Sequence, residues 1–263
     1  MSDASRRVFD GNLLRATLWQ PSEAHTLYIT FRQRLPAPGQ FDDPGPVRQA
    51  LSRGFAHLYL QSRWNDWYLN TETTALEAAL SALRARFDRA WAIGYSMGGY
   101  GALRLARALR LDRVLLVSPQ VTLDPRVIPG ETRYPEGPDF DPVLGDLGRV
   151  PCPGLSGVVA FDPFRPLDRA HARLAASLFP GLRLAPLGFG GHPATGVLRE
   201  AGAFRSLQGL SLGGDLTAAA VTRLHRDLRA GSARYWQNRA AACRRAGRPV
   251  AACTAEARLA VLE

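Results

Sequence analysis

One short segment combines a residue type and a spacing suited to nucleophilic chemistry: Gly94-Tyr95-Ser96-Met97-Gly98, within Trp91–Gly101. A serine hydroxyl is a weak nucleophile until a base takes its proton and a third group orients that base. The G-x-S-x-G spacing suits a serine held on a tight strand-to-helix turn, where small neighbours give the backbone room. RAWAIGY before it reads as a strand and GGYGALRLARALR after it as a helix. The helix would aim its positive N-terminal end at a developing oxyanion. A glycine-rich turn with an incidental serine is the plainer alternative. The strand–helix context and the Gly98-Gly99 pair favour the chemical reading.

GYSMGGYGA resembles the nucleophile elbow of the α/β-hydrolase family, and the order of elements over residues 6–208 is similar to that family's. The resemblance implies an eight-stranded, mostly parallel sheet flanked by helices, with catalytic residues in the chain order serine, acid, histidine. Downstream, GVVAFD ends in Asp162, and LRLAPL is followed by Gly190-Gly191-His192. The expected triad is therefore Ser96 as nucleophile, His192 as general acid/base and Asp162 as orienting acid. Asp168 reads as the N-cap of the following helix, and Asp124 is a third option for the acid. His25, His57, His171 and His225 fall before or within predicted elements, where structural or surface roles are expected.

The resemblance also implies two oxyanion donors. One is the backbone N–H of Met97. The other comes from the loop after LYITF, at Phe31 or Arg32, although FRQRLPAPG lacks the family's usual glycine pair. Tyr95 and Met97 flank the serine and should line the cleft floor. Trp64, Trp67 and Tyr68 in QSRWNDWYLN are expected either to wall a substrate pocket or to anchor the loop.

These residues need a scaffold, and alternating apolar runs and amphipathic stretches predict an α/β protein. RVFDG and LLRATLWQP suggest antiparallel strands joined at Asp10-Gly11; HTLYITF, FAHLYLQ, RVLLVSP, GVVAFD and LRLAPL supply further strands. TALEAALSALRARF places Leu76, Leu80, Leu83 and Phe87 on one helical face, with Thr74 and Glu77 spaced as a capping box. Residues 119–153 contain eight of the 19 prolines and read as an irregular insertion, too short for a full helical lid, so an open or shallow cleft is expected. Helices are predicted over Leu216–Leu228, Ala233–Arg245 and Ala251–Leu262. The domain division is residues 1–209 as a catalytic domain and 210–263 as a C-terminal helical extension.

Composition narrows the function classes. With 46% hydrophobic and 21% charged residues over 263 positions, the chain is ordinary globular protein rather than disordered or fibrous. No apolar run is long enough for a membrane span, the first residues lack a secretory leader, and a cytoplasmic location is expected. The net charge of +10 comes from 33 basic residues that are all arginine. That bias suits a GC-rich coding sequence, so no nucleic-acid partner is expected. Cys152, Cys243 and Cys253 have neither metal-site nor disulfide spacing, and no motif signals a metal or cofactor. The expected activity is hydrolysis of small to medium carboxylic esters or thioesters through an acyl-enzyme. Acyl transfer by the same machinery is an alternative. A non-catalytic scaffold whose basic C-terminal helices dock an acidic partner is another, and those helices could also join copies of the chain.

Overall fold

The structure is a computed structural model and describes residues 5–21 and 23–262. Strands β1 (Ser5–Asp10), β2 (Leu14–Trp19), β3 (Thr26–Phe31), β4 (Ala56–Ser62), β5 (Arg89–Tyr95), β6 (Arg113–Val117), β7 (Ser156–Phe161) and β8 (Leu182–Pro186) form one sheet. Its order is β1-β2-β4-β3-β5-β6-β7-β8. The β1–β2 and β2–β4 pairs are antiparallel, and every pair from β4–β3 to β7–β8 is parallel. The helices are α1 (Arg48–Leu51), α2 (Thr73–Arg84), α3 (Met97–Arg104), α4 (Pro166–Leu178), α5 (Gly196–Glu200), α6 (Phe204–Leu212), α7 (Ala218–Leu228), α8 (Ala233–Arg245) and α9 (Pro249–Leu259).

A parallel strand covered on both faces must be apolar at consecutive positions, because successive side chains point to opposite sides. Strand β6 shows this. Val114 and Leu116 join a core with Leu76 and Leu80 of α2, Leu103 of α3 and Ala172 of α4. Leu115 and Val117 join another with Leu198 of α5, Leu207 of α6 and Val221 of α7. Each such fully buried side chain contributes about 1.5–3 kcal/mol.

Helix α7 therefore covers the sheet, and α8 follows it onto the loop after β8. Tyr235 of α8 is buried edge-on to Phe189, and Asn238 donates to the Phe189 carbonyl at 2.9 Å. Among the described residues no helix is long and apolar enough to cross a membrane.

The expected Thr74–Glu77 capping box is absent. Helix α2 starts two residues earlier than that box requires, and Glu77 is paired with Arg104 of α3 instead. Glu72, just before the helix, accepts the backbone N–H groups of Asn12, Leu13 and Leu14, tying the β1–β2 turn to α2.

Candidate active site

Ser96 lies between the end of β5 and the start of α3 with φ 52° and ψ −123°. A side chain is strained in that region, so the surroundings must hold it there. Its N–H donates to the Val117 carbonyl of β6 at 2.9 Å, and its own carbonyl accepts from Gly99 and Tyr100 in α3. Glycine is required on both sides of this turn. A Cβ at Gly94 would lie 2.4 Å from the Gly98 carbonyl oxygen, and one at Gly98 would press on the Phe31 and Arg32 carbonyls at 3.0 Å.

His192, in the loop between β8 and α5, places Nε2 at 3.3 Å from Ser96 Oγ. Its Nδ1 lies 2.9 Å from Asp168 Oδ2. Burial alone would raise the Asp168 pKa, but hydrogen bonding and charge from His192, together with Arg133, hold it below the usual value. An ionised carboxylate only accepts, so Nδ1 carries the proton and Nε2 faces the serine with its lone pair.

The acid beside the histidine is thus Asp168 rather than Asp162. Asp162 stands just past β7 and accepts the backbone N–H groups of Phe164, Phe189 and Gly191 at 3.0–3.1 Å. Burial raises its pKa against the pull of those three donors. Its role is to hold the loop that carries His192. Asp168 is not an N-cap. Helix α4 begins at Pro166, so Asp168 sits inside the first turn with its side chain turned towards His192. Asp124 is held by Arg126, which reaches both carboxylate oxygens.

No family model and no curated protein matches this chain in sequence. Solved structures do match. The capsule O-acetyltransferase of Neisseria meningitidis serogroup A superposes with a TM-score of 0.53 at 14% identity, over 78% of this chain and 93% of that one. A histidine-to-alanine mutant of that enzyme in complex with CoA gives 0.52 at 15% identity, over 76% and 93%. The sheet order, the serine turn and these superpositions agree. The protein has the α/β-hydrolase fold.

Within this α/β-hydrolase fold one of the two residues expected to give the second oxyanion N–H has that group engaged elsewhere. The N–H of Arg32 is committed to the Leu60 carbonyl at 2.9 Å, and its guanidinium is buried on Gln40, Ser62 and Asp42. Phe31 ends β3, with its ring edge-on to Tyr68. Gln33, the next residue, lines a cleft together with Phe31 and Arg32. Met97, directly after Ser96, is the first residue of α3.

The aromatic loop divides. Tyr68 is buried, donates to the Arg32 carbonyl at 2.8 Å and fills the space that a Cβ on Gly101 would need, so it anchors the loop. Trp67 is buried edge-on to Tyr134. Trp64 is 47% exposed and lines, with Trp67 and Phe140, a separate cavity of about 220 Å³. Tyr95 stacks on Phe204 of α6 and borders a cleft beside the serine.

The proline-rich insertion carries functional groups that sequence reading passed over. Gln120 Oε1 accepts from Ser96 Oγ at 2.9 Å, with its amide oriented by donation to the Ser118 carbonyl. The Tyr134 hydroxyl lies 3.3 Å from His192 Nε2, and burial raises its pKa to about 12, so it is a donor at neutral pH. Arg133 bridges Asp168 and Glu131, and Glu131 in turn accepts from His171 Nε2 at 2.6 Å. The segment is thereby pinned across the site, and Ser96 is only 6% exposed, rather than open as its length suggested. The dense charge of Glu131–Arg133 amid prolines was the available signal. Among the described residues no group of three or more potential ligands could hold a metal ion.

Proposed function

We propose that the protein cleaves carboxylic esters or thioesters through a covalent acyl-enzyme on Ser96. The observation that carries this reading is the continuous path from Ser96 Oγ to His192 Nε2 and from His192 Nδ1 to Asp168, built on a serine held at positive φ. Nε2 takes the hydroxyl proton as Oγ attacks the carbonyl carbon. The resulting imidazolium is stabilised by the Asp168 carboxylate and then protonates the leaving oxygen or sulfur. The N–H of Met97 and a donor from the loop after β3 receive the oxyanion. In the second half-reaction Nε2 deprotonates the incoming water, and collapse releases the acid and regenerates the serine.

Transfer to an alcohol in place of water is the second reading. The low exposure of Ser96 beneath Gln120 and Tyr134 favours it, since a covered site limits free access of water. A fluorophosphonate probe tests the common step. Covalent labelling of the folded protein that disappears in Ser96→Ala is expected. Absence of labelling would support a non-catalytic body instead. Product analysis with and without an added alcohol then separates hydrolysis from transfer.

A further inference from the structure

Beside the nucleophile, a cleft of about 320 Å³ opens between the loop after β3, the end of β5 and the helices α5 and α6. Gln33, Asp42, Tyr59, Tyr95, Arg199 and Phe204 form much of its wall. Tyr95 precedes Ser96 in the chain, and Phe31 and Arg32, which also line the cleft, pack on Gly98 two residues after the serine.

Its polar groups are unevenly satisfied. The Asp42 carboxylate is paired with Arg32 at 2.9 Å and lies 3.5 Å from the Tyr59 hydroxyl. Arg32 is further fixed by two backbone carbonyls. That pair cancels its own charge. Two donors remain. Among the described residues the Tyr95 hydroxyl is buried with no hydrogen-bond partner, and the exposed Arg199 lines the same cleft with no hydrogen bond or ion pair from its guanidinium. An unsatisfied buried hydroxyl costs about 1–3 kcal/mol, so its persistence beside an open cleft calls for an explanation. Arg199 follows His192 by seven residues, on the helix into which the His192 loop leads.

We infer that this cleft binds an anionic group of the substrate, a carboxylate or phosphate, with Arg199 as its cationic partner and Tyr95 as a second donor. The group takes acceptor-only chemistry to a wall whose unmatched groups are donors. The inference rests on the ester-cleaving reading and names the substrate class for it: esters or thioesters carrying a negative charge on either the acyl or the alcohol side.

The test compares mono-p-nitrophenyl glutarate with its neutral methyl ester, and 4-acetoxyphenyl phosphate with phenyl acetate. The wild type is expected to favour at least one anionic member by about tenfold in kcat/KM, as a charge-assisted contact would give. The pair that shows it identifies the side on which the charge sits. Arg199→Gln is expected to collapse that ratio towards one, and Arg199→Lys to keep part of it. A general folding defect would lower both members alike and leave the ratio intact. Turnover of the neutral esters without an anionic preference, or a preference that survives Arg199→Gln, overturns the proposal while leaving the hydrolase reading standing. If no ester is turned over, the hydrolase reading fails. Calorimetric titration with monomethyl glutarate then decides the cleft: binding lost in Arg199→Gln supports it, and equal or absent binding in the wild type overturns it.

Discussion

Arg133 and His192 grip opposite oxygens of one buried carboxylate: Arg133 Nη1 contacts Asp168 Oδ1, while His192 Nδ1 contacts Oδ2. Arg133 also holds Glu131, so a single guanidinium separates two carboxylates whose side chains are each 1% exposed. Arg133→Met removes the shared cation and leaves Glu131 with His171, and Asp168 with His192 and the more distant Arg165. A loss of about 3–5 kcal/mol is expected, the usual result of stripping one partner from a buried ion pair. Urea unfolding of the variant checks this, and a midpoint like that of the wild type would refute it.

The two aspartates near the end of β7 should separate by function. Asp168→Asn is expected to lower kcat by about four orders of magnitude while leaving the fold intact, because the amide no longer fixes the imidazole tautomer. Asp162→Asn should retain far more activity and instead lower stability by about 1–3 kcal/mol, through weakened acceptance of three backbone N–H groups. Kinetics and melting of the two variants in parallel would expose a reversed ranking.

The Tyr134 hydroxyl lies 3.3 Å from His192 Nε2, the atom that handles the leaving group's proton in the proposed reaction. Tyr134→Phe removes only a hydroxyl and keeps the ring contact with Trp67. Turnover should fall by roughly ten- to a hundredfold with little change in KM, as expected for a donor used in the transition state. Fluorophosphonate labelling should persist, and undiminished turnover would remove Tyr134 from the mechanism.

Acid should loosen the insertion before the rest of the fold. Burial would raise the Glu131 pKa, but His171 and Arg133 outweigh it and bring it down to about 2. Its folded value lies below its unfolded one, so its stabilisation is complete above about pH 4.5 and is lost as pH falls towards 2. His171, lowered by burial against the opposing pull of Glu131, adds a loss of the same sign below its ordinary value of 6.5. The stability gap between wild type and Glu131→Gln should therefore narrow from pH 6 to pH 3. A gap independent of pH would contradict the assignment.

The C-terminal helices should respond unequally to truncation. Ending the chain after Leu210 strips α7, whose Val221 is fully buried on the sheet and whose His225 bonds the Gly188 carbonyl at 3.0 Å. Aggregation or a melting point several degrees lower is expected, since uncovering a single such side chain costs about 1.5–3 kcal/mol. Ending it after Arg248 removes only α9, which packs against α8, and should cost much less. Differential scanning fluorimetry of both truncations ranks them.

What the sequence determined by itself was local and periodic. The apolar runs of β5, β6 and β7, the helix after Ser96 and the placement of His192 after β8 each follow from patterns spanning a dozen residues or fewer. The glycines around Ser96 likewise announce a turn that few other residues could make. The acid was different, because Asp162 and Asp168 lie six residues apart around the same strand end. Only the start of α4 at Pro166 decides that Asp168 turns towards His192, while backbone N–H groups of the returning loop claim Asp162. The partners of the insertion lie further away still. Glu131 meets His171 across 40 residues and Arg133 meets Asp168 across 35, and no local periodicity records such pairs. They form because a buried carboxylate must find a cation or a donor, and which one it finds depends on where the whole sheet brings the chain back.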